Sequence, residues 1–215
     1  MRQYLKHDEW RIVEEGFNPE FHQASESIFS LGNGKMGQRA NFEEIYGGKS
    51  LQGSYIAGVY YPDKTRVGWW KNGYPEYFAK VLNSPNWIGI NIEIEGEQLD
   101  LFSCQTEHFE RALDMKKGIL TRTFTATFAN GKKVKVETAR FLSMTDPECG
   151  LIRYGITPLN FTGKIAFEPT STGMWKMRMP ITTKNSGTFW QQTAAIRRLF
   201  CWLRPKNWIF VWLLP

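Results

Sequence analysis

"ILTRTFTATFANGKKVKVETARFL", Ile119 to Leu142, decides the fold. Its first half sets Leu120, Phe124 and Phe128 against Thr121, Thr123, Thr125 and Thr127, a period of two that turns the apolar set to one face of a strand. Its second half answers with Val134 and Val136 between Lys133, Lys135 and Glu137. Asn130-Gly131 stands between them, the residue pair best able to take the positive φ angles of a tight turn. The stretch predicts an antiparallel hairpin with one buried face.

Working outward, similar short runs occur at "WIGINIEIEG" (Trp87 to Gly96), "GLIRYGITPL" (Gly150 to Leu159) and "KIAFEP" (Lys164 to Pro169), each bounded by Gly, Pro or Asn. "SIFSLGNGKMGQRANFEE" (Ser27 to Glu44) reads as two strand segments around Gly32-Asn33-Gly34. No apolar period of 3.6 is sustained, so little helix is expected. Short strands with turn signals every ten or so residues predict an all-β, antiparallel sandwich.

The 215 residues carry a net charge of +6, distributed unevenly. Met1 to Pro169 holds 20 Lys+Arg and 21 Asp+Glu, whereas Thr170 to Pro215 holds 7 and none, together with five of the nine tryptophans. The basic balance belongs to the tail, which argues against a nucleic-acid footprint on the body. Cys104, Cys149 and Cys201 have no metal-ligand spacing, and the N-terminus lacks the order of a secretory signal, so a reducing, cytoplasmic setting is expected. "WIFVWLLP" is too short to span a bilayer, and the Asn160-Phe161-Thr162 sequon is read as incidental.

Past Pro169 the alternation, the acids and the turn residues vanish together, as a change of reading frame would produce. Met and Trp have single codons, which makes the idea testable. Joining the last base of each codon to the first two of the next turns Trp175-Lys176 into GAA, glutamate, and Met174-Trp175 into GTG, valine. With synonymous codons free elsewhere, Thr170 to Thr188 can be read as "YLDGDVENEDANYDEKFWN". The same shift over Phe200 to Trp212 allows "LLVETKKLDFCL". The expectation is a tail, 170–215, that is disordered and translated out of frame.

"ESIFSLGNGKMGQRANFEE", "LQGSYIAGVYYPDKTRVGWWKNGYPEYFAKVLNSPNWIGI" and "RALDMKKGILTRTFTATFANGKKVKVETARFLSMTDPE" together resemble the N-terminal domain of glycoside hydrolase family 65, the maltose, kojibiose and trehalose phosphorylases. The resemblance covers roughly residues 1–169. It implies a large antiparallel, galactose-mutarotase-like super-sandwich, incomplete here, which in the family precedes an (α/α)6 barrel bearing the active site. It further implies cleavage of an α-linked glucosyl disaccharide by inorganic phosphate with inversion, a homodimeric parent enzyme, and no metal or organic cofactor. A barrel glutamate would protonate the leaving oxygen while phosphate takes the place of the water that an inverting hydrolase activates with a second carboxylate. The chain is expected to end before that barrel, to carry no catalytic residue, and to be a non-catalytic scaffold without nucleic-acid or membrane partners.

Several residue groups invite a functional reading. Glu14-Glu15 and Glu43-Glu44 are adjacent carboxylates, expected to point to opposite strand faces and to be solvated or turn residues. His7, His22 and His108 lack metal spacing. "GNGKMG" (Gly32 to Gly37) lacks the phosphate-loop spacing and a following helix, so a turn is expected. "RVGWWKNGYPEY" (Arg66 to Tyr77) alone combines aromatic faces with polar donors. Trp69, Trp70, Lys71 and Tyr74 are therefore the candidate sugar-contacting residues of a stand-alone carbohydrate-binding module, against the plainer expectation that they dock the sandwich onto the barrel or fill its core. A third possibility is a basic tail that binds nucleic acid or membranes. A sandwich short of strands also predicts poor solubility.

Overall fold

The computed structural model describes residues 4–65, 75–170, 198–204 and 208–214. In chain order the strands are β1 Leu5–His7 and β2 Arg11–Glu15, then the single described helix α1 His22–Ile28, then β3 Leu31–Gly32, β4 Met36–Gln38, β5 Ser54–Ile56, β6 Tyr60–Lys64 and β7 Tyr77–Val81. They continue as β8 Ile90–Ile94, β9 Glu97–Gln98, β10 Gln105–Asp114, β11 Ile119–Thr127, β12 Lys133–Leu142, β13 Gly150–Pro158, β14 Ile165–Pro169, β15 Arg198–Arg204 and β16 Trp208–Leu214. The all-β expectation holds. The Ser27-Ile28 start of the expected strand pair lies instead at the end of α1, and the strands around the Gly32-Gly34 turn are β3 and β4.

One eight-stranded antiparallel sheet runs in the order β1-β2-β10-β11-β12-β13-β16-β15. Smaller sheets, β14-β8-β9 and β3-β4-β5, supply the second layer, and β6-β7 forms a separate ribbon. The alternation read from the sequence is what builds the first layer. Leu120, Phe124, Ala126, Val134, Val136, Ile152, Tyr154 and Ile156 are buried, and they share one apolar cluster with Trp87, Ile88, Ile90, Ile92 and Ile94 of the second layer. Antiparallel sheets with one apolar face each close against one another in this way.

The β11-β12 turn departs from expectation in detail. Gly131 takes φ +81°, but Asn130 is not among the described non-glycine residues with positive φ. Gly131 N–H donates to Phe128 O (2.9 Å) and Phe128 N–H to Lys132 O (2.9 Å), the pattern of a longer loop in which a single left-handed glycine suffices. Close packing imposes a second glycine. A Cβ on Gly150 would stand 2.5 Å from the indole of Trp87, a side chain only 2% exposed.

Within 170–215, expected as a disordered tail, β15 and β16 are described, and β16 extends the large sheet beyond β13. "RLFCWLR" and "WIFVWLL" are aromatic and branched-apolar, compositions that favour extended chain.

Candidate functional site

The apolar inner face of the large sheet is crossed by a row of polar side chains. Strand pairing sets Glu14 opposite Arg111, Arg111 opposite Arg122, Arg122 opposite Thr138, and Thr138 opposite Tyr154. All five are buried. Two guanidiniums directly opposite one another would repel, so each needs its own carboxylate. Arg111 Nε lies 2.9 Å from Glu14 Oε2. Arg122 grips Glu44 with both terminal nitrogens, Nη2 at 2.6 Å from Oε2, and the same Nη2 lies 2.6 Å from Glu43 Oε2. Arg140 Nη1 lies 3.1 Å from Glu43 Oε1, and Tyr154 donates its hydroxyl to Glu44 Oε2 at 3.0 Å. Three guanidiniums thus meet three carboxylates.

Ring faces complete the enclosure. The Arg122 guanidinium carbon lies 4.3 Å from the Phe42 ring centre, and that of Arg111 lies over Phe29, Phe42 and Phe109 at 5.4–5.6 Å. Burial alone lowers an arginine pKa, as it does for Arg111 and Arg140; at Arg122 the charges of Glu44 and Glu43 outweigh burial and raise it. Burial, then the Glu44 charge, pushes the Tyr154 phenol well above its ordinary value.

A second buried group ties α1 to the chain that follows it. Glu26 accepts from Asn41 Nδ2 (2.9 Å), Leu51 N–H (2.7 Å) and Ser50 Oγ, and its Oε1 lies 3.1 Å from His22 Nε2. Burial works against the carboxylate, but the hydrogen bonds from His22, Ser50 and Leu51 prevail and draw its pKa down to about 2. The imidazole packs against Phe42 (4.3 Å) and Tyr46 (4.7 Å).

These positions correct one expectation. Glu43 and Glu44 are 4% and 3% exposed rather than solvated, and both reach one guanidinium because residues 41–44 are not a strand, so strand alternation does not separate them. On β2, a true strand, alternation does hold: Glu14 is buried and Glu15 is exposed, 2.5 Å from Lys6 Nζ. Glu14 is therefore also not solvated. The signal was legible, since Arg122 and Arg140 occupy inward positions of the opening hairpin's own alternation.

The remaining candidates fall out as follows. Trp69, Trp70, Lys71 and Tyr74 lie outside the described residues; the ribbon β6-β7 flanking them is closed by Thr65 N–H to Glu76 O at 2.8 Å. "GNGKMG" is a turn. Asn33 Oδ1 accepts from Met36 N–H (2.7 Å), and Asn33 Nδ2 donates to Ser143 O (2.7 Å) and Pro147 O (2.9 Å). Asn160 of the sequon is engaged, accepting from Lys133 N–H (2.7 Å) and donating to Gly131 O (2.9 Å). His7 and His108 are exposed, and among the described residues no group of three or more His, Cys, Asp or Glu is placed to hold a metal. Burial raises the Cys104 and Cys149 thiols above their ordinary value, which disfavours the reactive thiolate. No helix among the described residues is long and apolar enough to cross a membrane.

Comparison with known proteins agrees with this architecture. The chain is 45% identical over 190 residues to maltose phosphorylase of Bacillus subtilis (strain 168), covering 87% of this chain and 24% of that protein. It is 33% identical to kojibiose phosphorylase of Thermoanaerobacter brockii (79% and 20% covered) and 35% identical to alpha,alpha-trehalose phosphorylase of the same organism (74% and 21%). It thus spans a fifth to a quarter of the length of these relatives. A solved structure assigned as a kojibiose phosphorylase from human microbiome superposes with a TM-score of 0.70 at 28% identity, covering 98% of this chain and 31% of that one. The family model described as "Glycosyl hydrolase family 65, N-terminal domain" matches residues 12–202. With the sandwich and its relatives in agreement, the chain belongs to glycosyl hydrolase family 65, in that family's N-terminal domain.

Proposed function

We propose that this chain is the non-catalytic sandwich module of a disaccharide phosphorylase, and that cleavage of a maltose-, kojibiose- or trehalose-type disaccharide by inorganic phosphate is carried out by a catalytic barrel outside residues 1–169. The observation that carries this reading is the commitment of the inner-face carboxylates. Glu14, Glu43 and Glu44 are each held against arginine and buried, which suits a scaffold rather than a group that must meet a substrate. The parent enzyme is a cytoplasmic homodimer in this reading. The exposed Tyr60, Tyr77 and Val81 of the β6-β7 ribbon belong to the surface that packs on the barrel.

Residues 170–215 are, in the same proposal, a translation in the wrong frame. The forced codons at Met174, Trp175 and Cys201 support it, as does the return of acidic residues in the shifted reading.

Two experiments test the proposal. The purified chain, incubated with phosphate and each disaccharide in turn, is expected to release no glucose 1-phosphate; release would overturn the non-catalytic assignment. Sequencing the genomic DNA from the codon for Glu168 past that for Pro215 is expected to find the other frame continuing into barrel sequence. A confirmed frame with no such continuation would overturn the account of the tail.

A further inference from the structure

Asn-Gly occurs at Asn33-Gly34, Asn72-Gly73 and Asn130-Gly131, and the first and last of these lie among the described residues. A glycine after asparagine leaves its own backbone nitrogen unshielded by a side chain, so that nitrogen can reach the carboxamide carbon beside it. How the fold holds the carboxamide decides whether the pair lasts. At Asn33 both ends are tied down. Oδ1 accepts from Lys35 N–H (3.1 Å) and Met36 N–H (2.7 Å), and Nδ2 donates to Ser143 O and Pro147 O between β12 and β13. Asn130 is exposed instead. Its Nδ2 donates to Glu97 Oε2 (2.7 Å), and its Oδ1 accepts from Lys132 N–H (3.0 Å), a donor placed to favour negative charge on that oxygen.

The bond to Glu97 also joins the two layers. β8 turns back into β9 through Glu95-Gly96, both at positive φ (+50° and +86°), a conformation that glutamate rarely adopts. In that turn Glu95 meets Lys132 Nζ while Glu97 takes Asn130, so the β8-β9 turn is clamped to the β11-β12 turn by neighbouring contacts. Strain of this kind persists only where the surroundings hold it. We propose that Asn130 is a site of spontaneous deamidation and that the change releases this clamp. The Gly131 N–H, bonded to Phe128 O at 2.9 Å, must first leave that carbonyl, so reaction follows a local opening of the turn. The Gly131 nitrogen then bonds to Asn130 Cγ, the Cγ–Nδ2 bond breaks, and ammonia departs with the hydrogen that the nitrogen gives up. Water opens the cyclic imide. Attack at the side-chain carbonyl leaves aspartate, and attack at the backbone carbonyl leaves an isoaspartyl link with an extra methylene in the main chain. Either product sets a carboxylate against Glu97 in place of a donor, so attraction becomes repulsion.

The test follows the full chain, held at mildly alkaline pH and digested with trypsin at intervals. The peptide Thr123 to Lys132 is read by mass spectrometry and by isoaspartyl methyltransferase labelling. Aspartate and isoaspartate are expected to accumulate at position 130 while Asn33 keeps its amide, and Asn130→Gln is expected to abolish the signal in that peptide. Asn130→Asp is expected to lower the melting midpoint by about 2–4 °C, and Glu97→Gln added to it to recover most of the loss. An amide that persists at Asn130, or conversion of Asn33 at an equal or greater rate, would overturn the site. A folded Asn130→Asp chain that melts with the parent, or a deficit untouched by Glu97→Gln, would overturn the release of the clamp. The mapping uses the unaltered chain, so it decides the site whether or not the variants fold.

Discussion

Replacing Arg122 by Leu would leave Glu43 and Glu44 facing each other with Arg140 as their remaining cation, deep among aromatic rings. Removing one partner of a buried ion pair costs about 3–5 kcal/mol, because the surviving charge is left unsolvated. The loss should appear as a lower urea midpoint with an unchanged slope, and Glu44→Gln added to Arg122→Leu should recover part of it. Glu26 makes a second, pH-dependent prediction. Its folded pKa of about 2 lies below its unfolded value of 4.5, so its contribution is fully present above pH 4.5 and is lost as the pH falls toward 2. A shift of that size corresponds to roughly 3 kcal/mol. Glu26→Gln should lower stability at pH 7 by about that amount and flatten the acid limb of the stability curve between pH 4.5 and 2; equal acid limbs in the two proteins would refute the assignment. The first site was misread from the sequence and the second went unread. Adjacent glutamates look solvated until the arginines that claim them are placed, and Arg122 lies 78 positions from Glu44 along the chain. Only the fold brings the two together.

At the scale of elements, the strands of the β11-β12 hairpin and the place of its turn were legible, though not the turn's type, because their information is local: a period of two, and a turn residue between the runs. The irregular segment after β4 was not, because no period governs it and its course is set by Glu26, Asn41 and Arg39, which bond one another's neighbourhood across the loop. Arg39 Nε donates to Leu51 O at 2.8 Å and Asn41 Oδ1 accepts from Gly53 N–H at 3.1 Å, so this loop is fastened by side chains rather than by a ladder. The meeting of the two layers is similarly invisible in sequence, and Gly150 marks it. A methyl group there must displace the Trp87 ring or part β13 from the β8 side of the sandwich. Overpacking of this kind costs about 1–3 kcal/mol. Gly150→Ala should therefore lower the melting temperature, and Trp87→Phe in the same chain should regain part of the loss that Gly150→Ala causes. If both single variants and the pair show simply additive losses, the glycine is not there to admit the indole.

For the whole molecule, the described side chains of the body share one apolar cluster closed by the inner-face ion pairs, and so form one cooperative unit. The tail joins through β16 pairing with β13, whose backbone groups water would satisfy if the tail were gone. It also carries the entire positive excess, seven basic residues and no acids, a composition with none of the charge alternation that keeps sheet edges apart. Deleting residues 171–215 is therefore expected to leave a single thermal transition, seen alike by tryptophan fluorescence and by circular dichroism. A change of about 1 kcal/mol in a domain of this size moves the midpoint by only about 2–4 °C, and the shift should not exceed that. Over the same deletion the isoelectric point should fall from 9.2 to the acidic side of neutrality, and the soluble fraction on expression should rise. Two separated transitions, or a collapse of the near-ultraviolet spectrum on deletion, would instead mean that β15 and β16 complete the sandwich and that the tail is part of the fold.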